Sequence, residues 1–218
     1  MSFKRYFAIA DNSITDAYGV DGATRATGSN TGEADVLEVF ANYGDVVTGS
    51  MELSRILIQF DIDQINQDIS DERIPSTGIT WYLKMFNTEH ALTNPKNFTI
   101  STHKVSASWE EGYGVDLDNH GDDVKNFGSS WTKRDPLTDW TTAGGDYMTA
   151  SVDQLFTTGL EDLEINVTSI VDEHISDPAT NYGFILKFPE AIESGTVSYY
   201  TKRFFARSSE FYYKRPVL

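Results

Sequence analysis

The sequence contains no cysteine and no long apolar run. Without cysteine the chain has neither disulfide bonds nor thiolate and redox chemistry. No stretch approaches the roughly 18 apolar residues that a membrane span needs. The N-terminal residues before Asp11 are too few and too polar for a secretory signal. We therefore expect a protein that is made without an export signal and does not insert into membranes.

Catalytic motifs are also missing. The sequence has no Gly-x-Ser-x-Gly elbow, no glycine-rich phosphate loop with lysine, and no histidine pair at helical spacing. The adjacent Glu110 and Glu111 point to opposite faces of an extended segment, so they do not form an acid and base pair. These absences predict a non-enzymatic protein that needs no cofactor and acts by binding or assembly.

Charge is distributed unevenly along the chain. The formal net charge is −16, yet residues 202–218 carry five bases and one acid. The acidic body should repel nucleic acid. The basic end is expected to be drawn to acidic surfaces, including another copy of the chain. The alternative is a solvated surface with two locally basic strands.

Several segments have the alternation of β-strands. The strongest is Leu53–Asp61, which places Ile56, Ile58 and Phe60 on one side and Arg55, Leu57 and Gln59 on the other. Trp81, Leu83 and Met85 share a face of the next strand, and Phe98, Ile100 and Val105 are expected to point inward from the one after. Such a succession of short strands predicts an antiparallel β-sandwich.

The second half of the chain follows the same pattern. Strands are expected at Glu161–Val167 and Phe184–Phe188, with one short helix over Ile170–Ser176 between them. Thr196–Ala206 and Phe211–Leu218 are expected to form a closing hairpin. Length and pattern indicate a single domain over residues 1–218, and the apolar ending favours a chain that continues beyond it.

The segment Ser108–Asp146 has neither helical nor strand periodicity. It holds three of the four tryptophans and six glycines, which indicates a long ordered loop rather than disorder, where aromatic residues are depleted. Trp109, Tyr113, Trp131 and Trp140 are candidates for glycan binding because aromatic faces stack on sugar rings. The alternative, which we prefer, is that these rings anchor the loop.

An acidic stretch lies inside this segment. Its candidate calcium ligands are Asp116, Asp118, Asn119, Asp122 and Asp123. Calcium prefers six to eight oxygen ligands in a flexible loop. His120 at the fifth position and Phe127 in place of the bidentate glutamate exclude an EF-hand. A structural calcium ion and a solvated acidic loop are the two interpretations, and we prefer the second.

The C-terminal segment combines aromatic and basic residues, the types enriched in interface cores. The candidates for an assembly interface are Lys202, Arg203, Phe205, Arg207, Tyr212, Lys214 and Arg215. If alternate side chains face outward, the closing hairpin presents them as one stripe on an acidic body. The other interpretation is that part of these rings belongs to the core.

Five stretches in order resemble a DNRLRE-type jelly-roll domain, a family known mainly from bacterial surface proteins. They are Asp11–Ala17, Ser54–Ile62 (SRILIQFDI), Ser108–Gly114 (SWEEGYG), Ser130–Asp146 and Leu163–Phe188. The resemblance covers nearly the whole chain and implies a non-enzymatic jelly roll used as a carbohydrate-binding or adhesive module. It fixes no ligand residues.

A second resemblance concerns context. The runs ATGSNTGEADVLEVF, WEEGYGVDLDN and YYTKRFFARSSEFYYKRPV are similar to virion structural proteins of marine tailed phages. This implies a virion protein of the head, neck or tail that is made in the host cytoplasm without a signal peptide. Its partners would be other virion proteins and further copies of itself. The alternative is an adhesion module that recognises host polysaccharide through the tryptophan-rich loop.

Overall fold

The structure is a computed structural model that describes residues 3–19, 21–44, 46–89, 95–115, 128–196 and 199–218. Its strands, in chain order, are β1 Ala8–Thr15, β2 Val36–Tyr43, β3 Met51–Phe60, β4 Tyr82–Met85, β5 Phe98–Val105, β6 Lys133–Asp135, β7 Thr138–Asp139, β8 Tyr147–Phe156, β9 Leu163–Asn166, β10 Phe184–Lys187 and β11 Tyr199–Phe205. Its helices are α1 Ile62–Ser70, α2 Thr168–Ser176 and α3 Glu190–Glu193.

The main sheet has seven strands in the order β11-β2-β3-β10-β5-β8, with β1 also paired to β3. All of its pairings are antiparallel. Residues 56–58 of β3 pair with both β1 and β10, so these two strands lie on opposite edges of β3. The sheet ends at β11 on one side and at β8 on the other.

A smaller sheet is formed by β4 and β9. It is extended by Val217, which forms a bridge to Lys84 on one side and to Phe7 on the other. The expected closing hairpin is therefore wrong: β11 pairs with β2 in the main sheet, whereas the last residues cross to the smaller sheet. Tyr212–Lys214 forms a 3-10 turn before this crossing.

The main core lies between the two sheets. β3 contributes Ile56, Ile58 and Phe60 to it, and β4 contributes Leu83 and Met85. The sidedness that alternation predicted for these strands is confirmed. The result is an antiparallel, sandwich-like all-β architecture with few helices, and none of the helices in the described ranges is long and apolar enough to cross a membrane.

A second apolar cluster covers the opposite face of the main sheet. It contains Ile14, Leu57, Val105, Trp109, Trp131, Trp140 and Ile185. Val105 was expected on the same face as Phe98 and Ile100. It lies an odd number of positions from both residues, so alternation alone places it on the opposite face, in the second cluster.

Two further expectations need correction. The described residues contain two nine-residue helices, α1 and α2, and the one-turn α3, where the sequence predicted one short helix. The ten-residue strand β8 was not predicted. It lies at the edge of the sheet and exposes side chains on both faces, so its sequence lacks the alternation that reveals a half-buried strand.

Candidate functional site

Three of the four glycan-binding candidates are buried. Trp109, Trp131 and Trp140 are at most 9% exposed and pack in the cluster against the sheet. The indole N–H of Trp109 donates to the carbonyl of Tyr182 at 2.8 Å, and that of Trp140 donates to a backbone carbonyl ten residues earlier. Their rings anchor the segment to the sheet, and of the four only Tyr113, 70% exposed, presents its ring to solvent.

A buried ion network fixes the same segment. Arg55 of β3 donates to both carboxylate oxygens of Glu193, at 3.2 and 2.7 Å, and to the carbonyl of Gly144 at 2.7 Å. Its guanidinium lies 4.9 Å from the ring of Trp131, and Lys187 contacts Glu193 at 2.9 Å. All three charged side chains are buried, so each depends on the others for compensation.

A layer of amides joins this segment to β1 and the loop after it. The side-chain N–H groups of Asn12 and Asn30 donate to the carbonyl of Ser129 at 2.8 and 2.7 Å. The N–H of Gly114 donates to the side-chain oxygen of Asn30 at 2.8 Å. A Cβ on Gly114 would lie 1.8 Å from the carbonyl oxygen of Asn30, so only glycine fits this contact.

Asp11, Glu111 and Arg207 form an ionic cluster from three distant segments, in which Asp11 is buried and the other two are partly exposed. Arg207 donates to both oxygens of Glu111 at 2.8 and 2.6 Å, and its backbone N–H donates to Asp11 at 2.6 Å. Burial, reinforced by the charge of Glu111, raises the pKa of Asp11 to about 7 despite the Arg207 N–H. The hydrogen bonds to Glu111 raise the pKa of Arg207, so this arginine remains charged.

Lys202 does not reach the surface. Its side chain is fully buried, and its ammonium group donates to Asn87 at 2.5 Å and to the carbonyls of Gly159 and Glu161 at 2.9 and 2.8 Å. Burial lowers the pKa of Lys202 to about 8, and the neighbouring acids oppose that shift only in part. This interface candidate is therefore a structural cation that ties β11 to the loop before β9.

An exposed surface of aromatic and basic side chains lies at the C-terminal end. It consists of Phe205, Phe211, Tyr212, Tyr213, Lys214 and Arg215, and we call it the aromatic–basic surface. Phe211, Tyr212 and Tyr213 are consecutive and are 42%, 58% and 64% exposed. The Lys214 ammonium lies 4.6 Å from the ring centre of Phe205.

A cleft of about 850 Å³ adjoins this surface. Its floor is the outer face of β2 and the end of β11, and short loops form its walls. It is lined by four carboxylates, Asp35, Glu38, Glu52 and Glu89, and by one base, Arg203. We call it the acidic cleft.

Two of the four carboxylates of the acidic cleft form hydrogen bonds or ion pairs within the chain. Glu38 pairs with Arg203 at 3.0 Å, and Glu52 accepts two backbone N–H groups of the cleft wall at 3.0 and 3.2 Å. Asp35 and Glu89 form no side-chain hydrogen bond or ion pair with any described residue. Beside them, the buried hydroxyl of Thr88 has no hydrogen-bond partner in the described part of the chain.

The seven assembly candidates are thus divided by the fold. Lys202 is buried, Arg203 is engaged by Glu38, and Arg207 is engaged by Glu111. The other four, Phe205, Tyr212, Lys214 and Arg215, belong to the aromatic–basic surface. The candidate calcium ligands Asp116, Asp118, Asn119, Asp122 and Asp123 lie outside the described residues.

Sequence reasoning missed both the ion network and the acidic cleft. Arg55 gave a usable signal, because a lone base within an otherwise apolar strand needs a buried partner. The cleft gave none, since its four carboxylates come from three separate segments, Asp35–Glu38, Glu52 and Glu89, that only the folded sheet brings together.

The described residues contain no group of three or more His, Asp or Glu side chains placed to hold a metal ion. No protein-family model matches this chain, and no curated protein matches it at a significant level.

Proposed function

We propose that this chain is a non-enzymatic structural protein that acts by binding other proteins, with the aromatic–basic surface as its docking face. The observation that carries the proposal is the exposure of three consecutive aromatic rings, Phe211, Tyr212 and Tyr213. Aromatic residues dominate the energetics of protein interfaces because they bury a large area with few rotatable bonds. Contiguous exposed apolar area of this kind marks an interaction site.

The rings are held in place before any partner arrives. The tilted rings of Tyr212 and Phe7 lie 4.5 Å apart between their centres, and Phe211 meets Phe205 edge-on at 5.5 Å. Arg215 donates to the carbonyl of Ser209 at 2.9 Å, which fixes the end of the 3-10 turn. A preorganised surface loses little conformational entropy when it binds, so this segment is suited to a stable assembly contact.

The resemblance found in the sequence indicates the assembly in which the chain takes part. The resemblance to tailed-phage structural proteins supports a jelly-roll module in the head, neck or tail that packs against other virion proteins. The glycan-binding alternative relied on exposed rings in the tryptophan-rich segment. Because Trp109, Trp131 and Trp140 are buried, we do not advance it.

Photocrosslinking in particles tests the proposal. A photoreactive phenylalanine analogue replaces Tyr213 in the full chain, which is then incorporated into particles of the phage that encodes it. We expect the chain in density-purified particles and a covalent adduct between position 213 and a second virion polypeptide.

The matched control places the same analogue at Thr149. This residue is exposed on β8, at the opposite edge of the main sheet from β11. Adducts from position 213 but not from 149 support docking through the aromatic–basic surface. Absence of the chain from purified particles, or equal adducts from both positions, would overturn the proposed function.

A further inference from the structure

The aromatic–basic surface and the acidic cleft share one residue. Phe205 lines the cleft, and its ring also contacts Phe211 and lies under the ammonium of Lys214. Two surfaces of opposite charge therefore lie side by side and meet at Phe205.

The acidic cleft offers hydrogen-bond acceptors for which the described residues supply no donor. Asp35 and Glu89 are unpaired there, and the buried Thr88 hydroxyl is unsatisfied. The Asp35 and Glu89 carboxylates are exposed, so a positively charged partner can reach them directly. Lysine and arginine side chains are pure donors with positive charge, so the chemistry of the cleft favours a basic segment.

We infer that the acidic cleft receives the aromatic–basic surface of a second copy of this chain, in a two-fold symmetric dimer. The inference rests on the proposed function and names the partner of the same docking face. In a two-fold interface, each contact between a residue of one subunit and a residue of the other is repeated with the subunits exchanged. Two complementary surfaces that adjoin at Phe205 meet this condition, with the symmetry axis near that residue.

Charge favours a second copy over an arbitrary basic protein because each subunit supplies both halves of the contact. Lys214 and Arg215 of one subunit face Asp35 and Glu89 of the other, and the same pairing repeats across the axis. The net charge of −16 opposes association at long range. Ionic strength near 0.15 M limits this repulsion to about 8 Å. Whether two subunits associate therefore depends on the charges that meet in the contact itself.

Sedimentation equilibrium of the full chain at 0.15 M salt provides the first measurement. We expect a reversible monomer–dimer equilibrium. Asp35→Lys with Glu89→Lys, and separately Lys214→Glu with Arg215→Glu, should each weaken the dimer by about tenfold or more, because each change sets like charges against each other on both sides of the axis.

Mixing the two charge-reversed chains gives the sharpest test. In a one-to-one mixture, the unchanged basic surface of the chain with the reversed cleft meets the unchanged acidic cleft of the other chain. In the second contact, the cleft that is now basic meets the surface that is now acidic. The mixture should therefore form a heterodimer that is tighter than the homodimer of either variant alone. A mixture that stays monomeric, with both variants folded, contradicts the inference.

Two controls guard against misfolding and general charge effects. Asp153→Lys with Asp172→Lys changes charge by the same amount at exposed positions outside the cleft and should leave the dimer intact. Tyr213→Ser removes an exposed ring from the surface without reversing charge and should also weaken the dimer. Equal weakening by the control pair and the cleft pair would overturn the inference.

The two proposals fail in different ways. A wild-type chain that remains monomeric at millimolar concentration, yet forms adducts from position 213 in particles, refutes the dimer and leaves the proposed function standing. A dimer rescued by charge exchange, in a chain absent from particles, supports the dimer and refutes the virion role.

Discussion

The backbone N–H of Arg207 donates a 2.6 Å hydrogen bond to the carboxylate of Asp11, 196 positions earlier in the chain. The second oxygen of Asp11 is buried without a partner among the described residues. The side chain of the same arginine holds Glu111 at two points. One ionic cluster around the buried Asp11 thus joins the first strand, the tryptophan-rich segment and the C-terminal segment, so the stability of the protein should depend on pH.

Replacing Asp11 by asparagine should change how stability depends on pH. The pKa of Asp11 is raised to about 7 from an unfolded value near 3.8, so the folded state binds the proton more tightly. Its contribution is fully present below pH 3.8 and is lost as pH rises through 7. From pH 4 to pH 8, the free energy of unfolding of Asp11→Asn should rise relative to wild type by about 4 kcal/mol.

Urea denaturation at a series of pH values measures this difference. Asp35→Asn serves as the control, because Asp35 is exposed and should give no such trend. An Asp11→Asn difference that stays flat between pH 4 and pH 8 would show that the cluster does not bind the proton in the folded state.

Glu193→Ala should be strongly destabilising. It leaves Arg55 and Lys187 as two buried cations without their shared carboxylate, a change that costs about 3–5 kcal/mol. Glu190→Ala in the same helix is the matched control. Glu190 is 82% exposed and lies 3.9 Å from Lys187, so its loss should cost less than about 0.5 kcal/mol. Comparable losses from both variants in chemical denaturation would contradict the buried network.

His174 should make the protein sensitive to acid. It is fully buried against Phe184, and neither ring nitrogen has a hydrogen-bond partner in the described structure. Burial lowers the pKa of His174 to about 4, so protons bind preferentially to the unfolded state between pH 6.5 and pH 4. Stability falls as pH decreases through that window.

His174→Leu removes this titration while keeping an apolar side chain of similar size. Relative to this variant, wild type should lose about 3 kcal/mol of unfolding free energy as pH falls from 6.5 to 4, with no further change below. The comparison cancels the opposite trend of Asp11, which both proteins share. A difference independent of pH would show that His174 is not buried in its neutral form.

Lys202→Met tests whether Lys202 stabilises the fold or belongs to an interface. Methionine keeps most of the volume but leaves the acceptors of Asn87, Gly159 and Glu161 without their shared donor. We expect a loss of about 2–4 kcal/mol in thermal or urea unfolding. Lys214→Met on the exposed surface is the control and should change stability by less than about 0.5 kcal/mol. A Lys202→Met chain as stable as wild type would contradict the buried, structural role of Lys202.

Alternation was sufficient to divide the side chains of β3 and β4 between the two faces of their strands. It placed Ile56, Ile58 and Phe60 correctly, and it located β4 with Leu83 and Met85 inward. The same rule applied to β11 would have placed Lys202 on the face of Phe204, since the two are two positions apart. Composition pointed instead to a basic stripe, which is why this lysine was assigned to the surface.

The sequence by itself determined an all-β architecture, because short alternating segments bury one face only by pairing into sheets. It also determined that aromatic and basic residues gather near the C-terminus. Only the tertiary structure decided which of the basic residues are paired within the chain, since Arg203 and Arg207 contact Glu38 and Glu111 of distant segments. Only the tertiary structure assembled the acidic cleft, because carboxylates from unrelated segments become neighbours when strand order, which no local pattern encodes, brings those segments together.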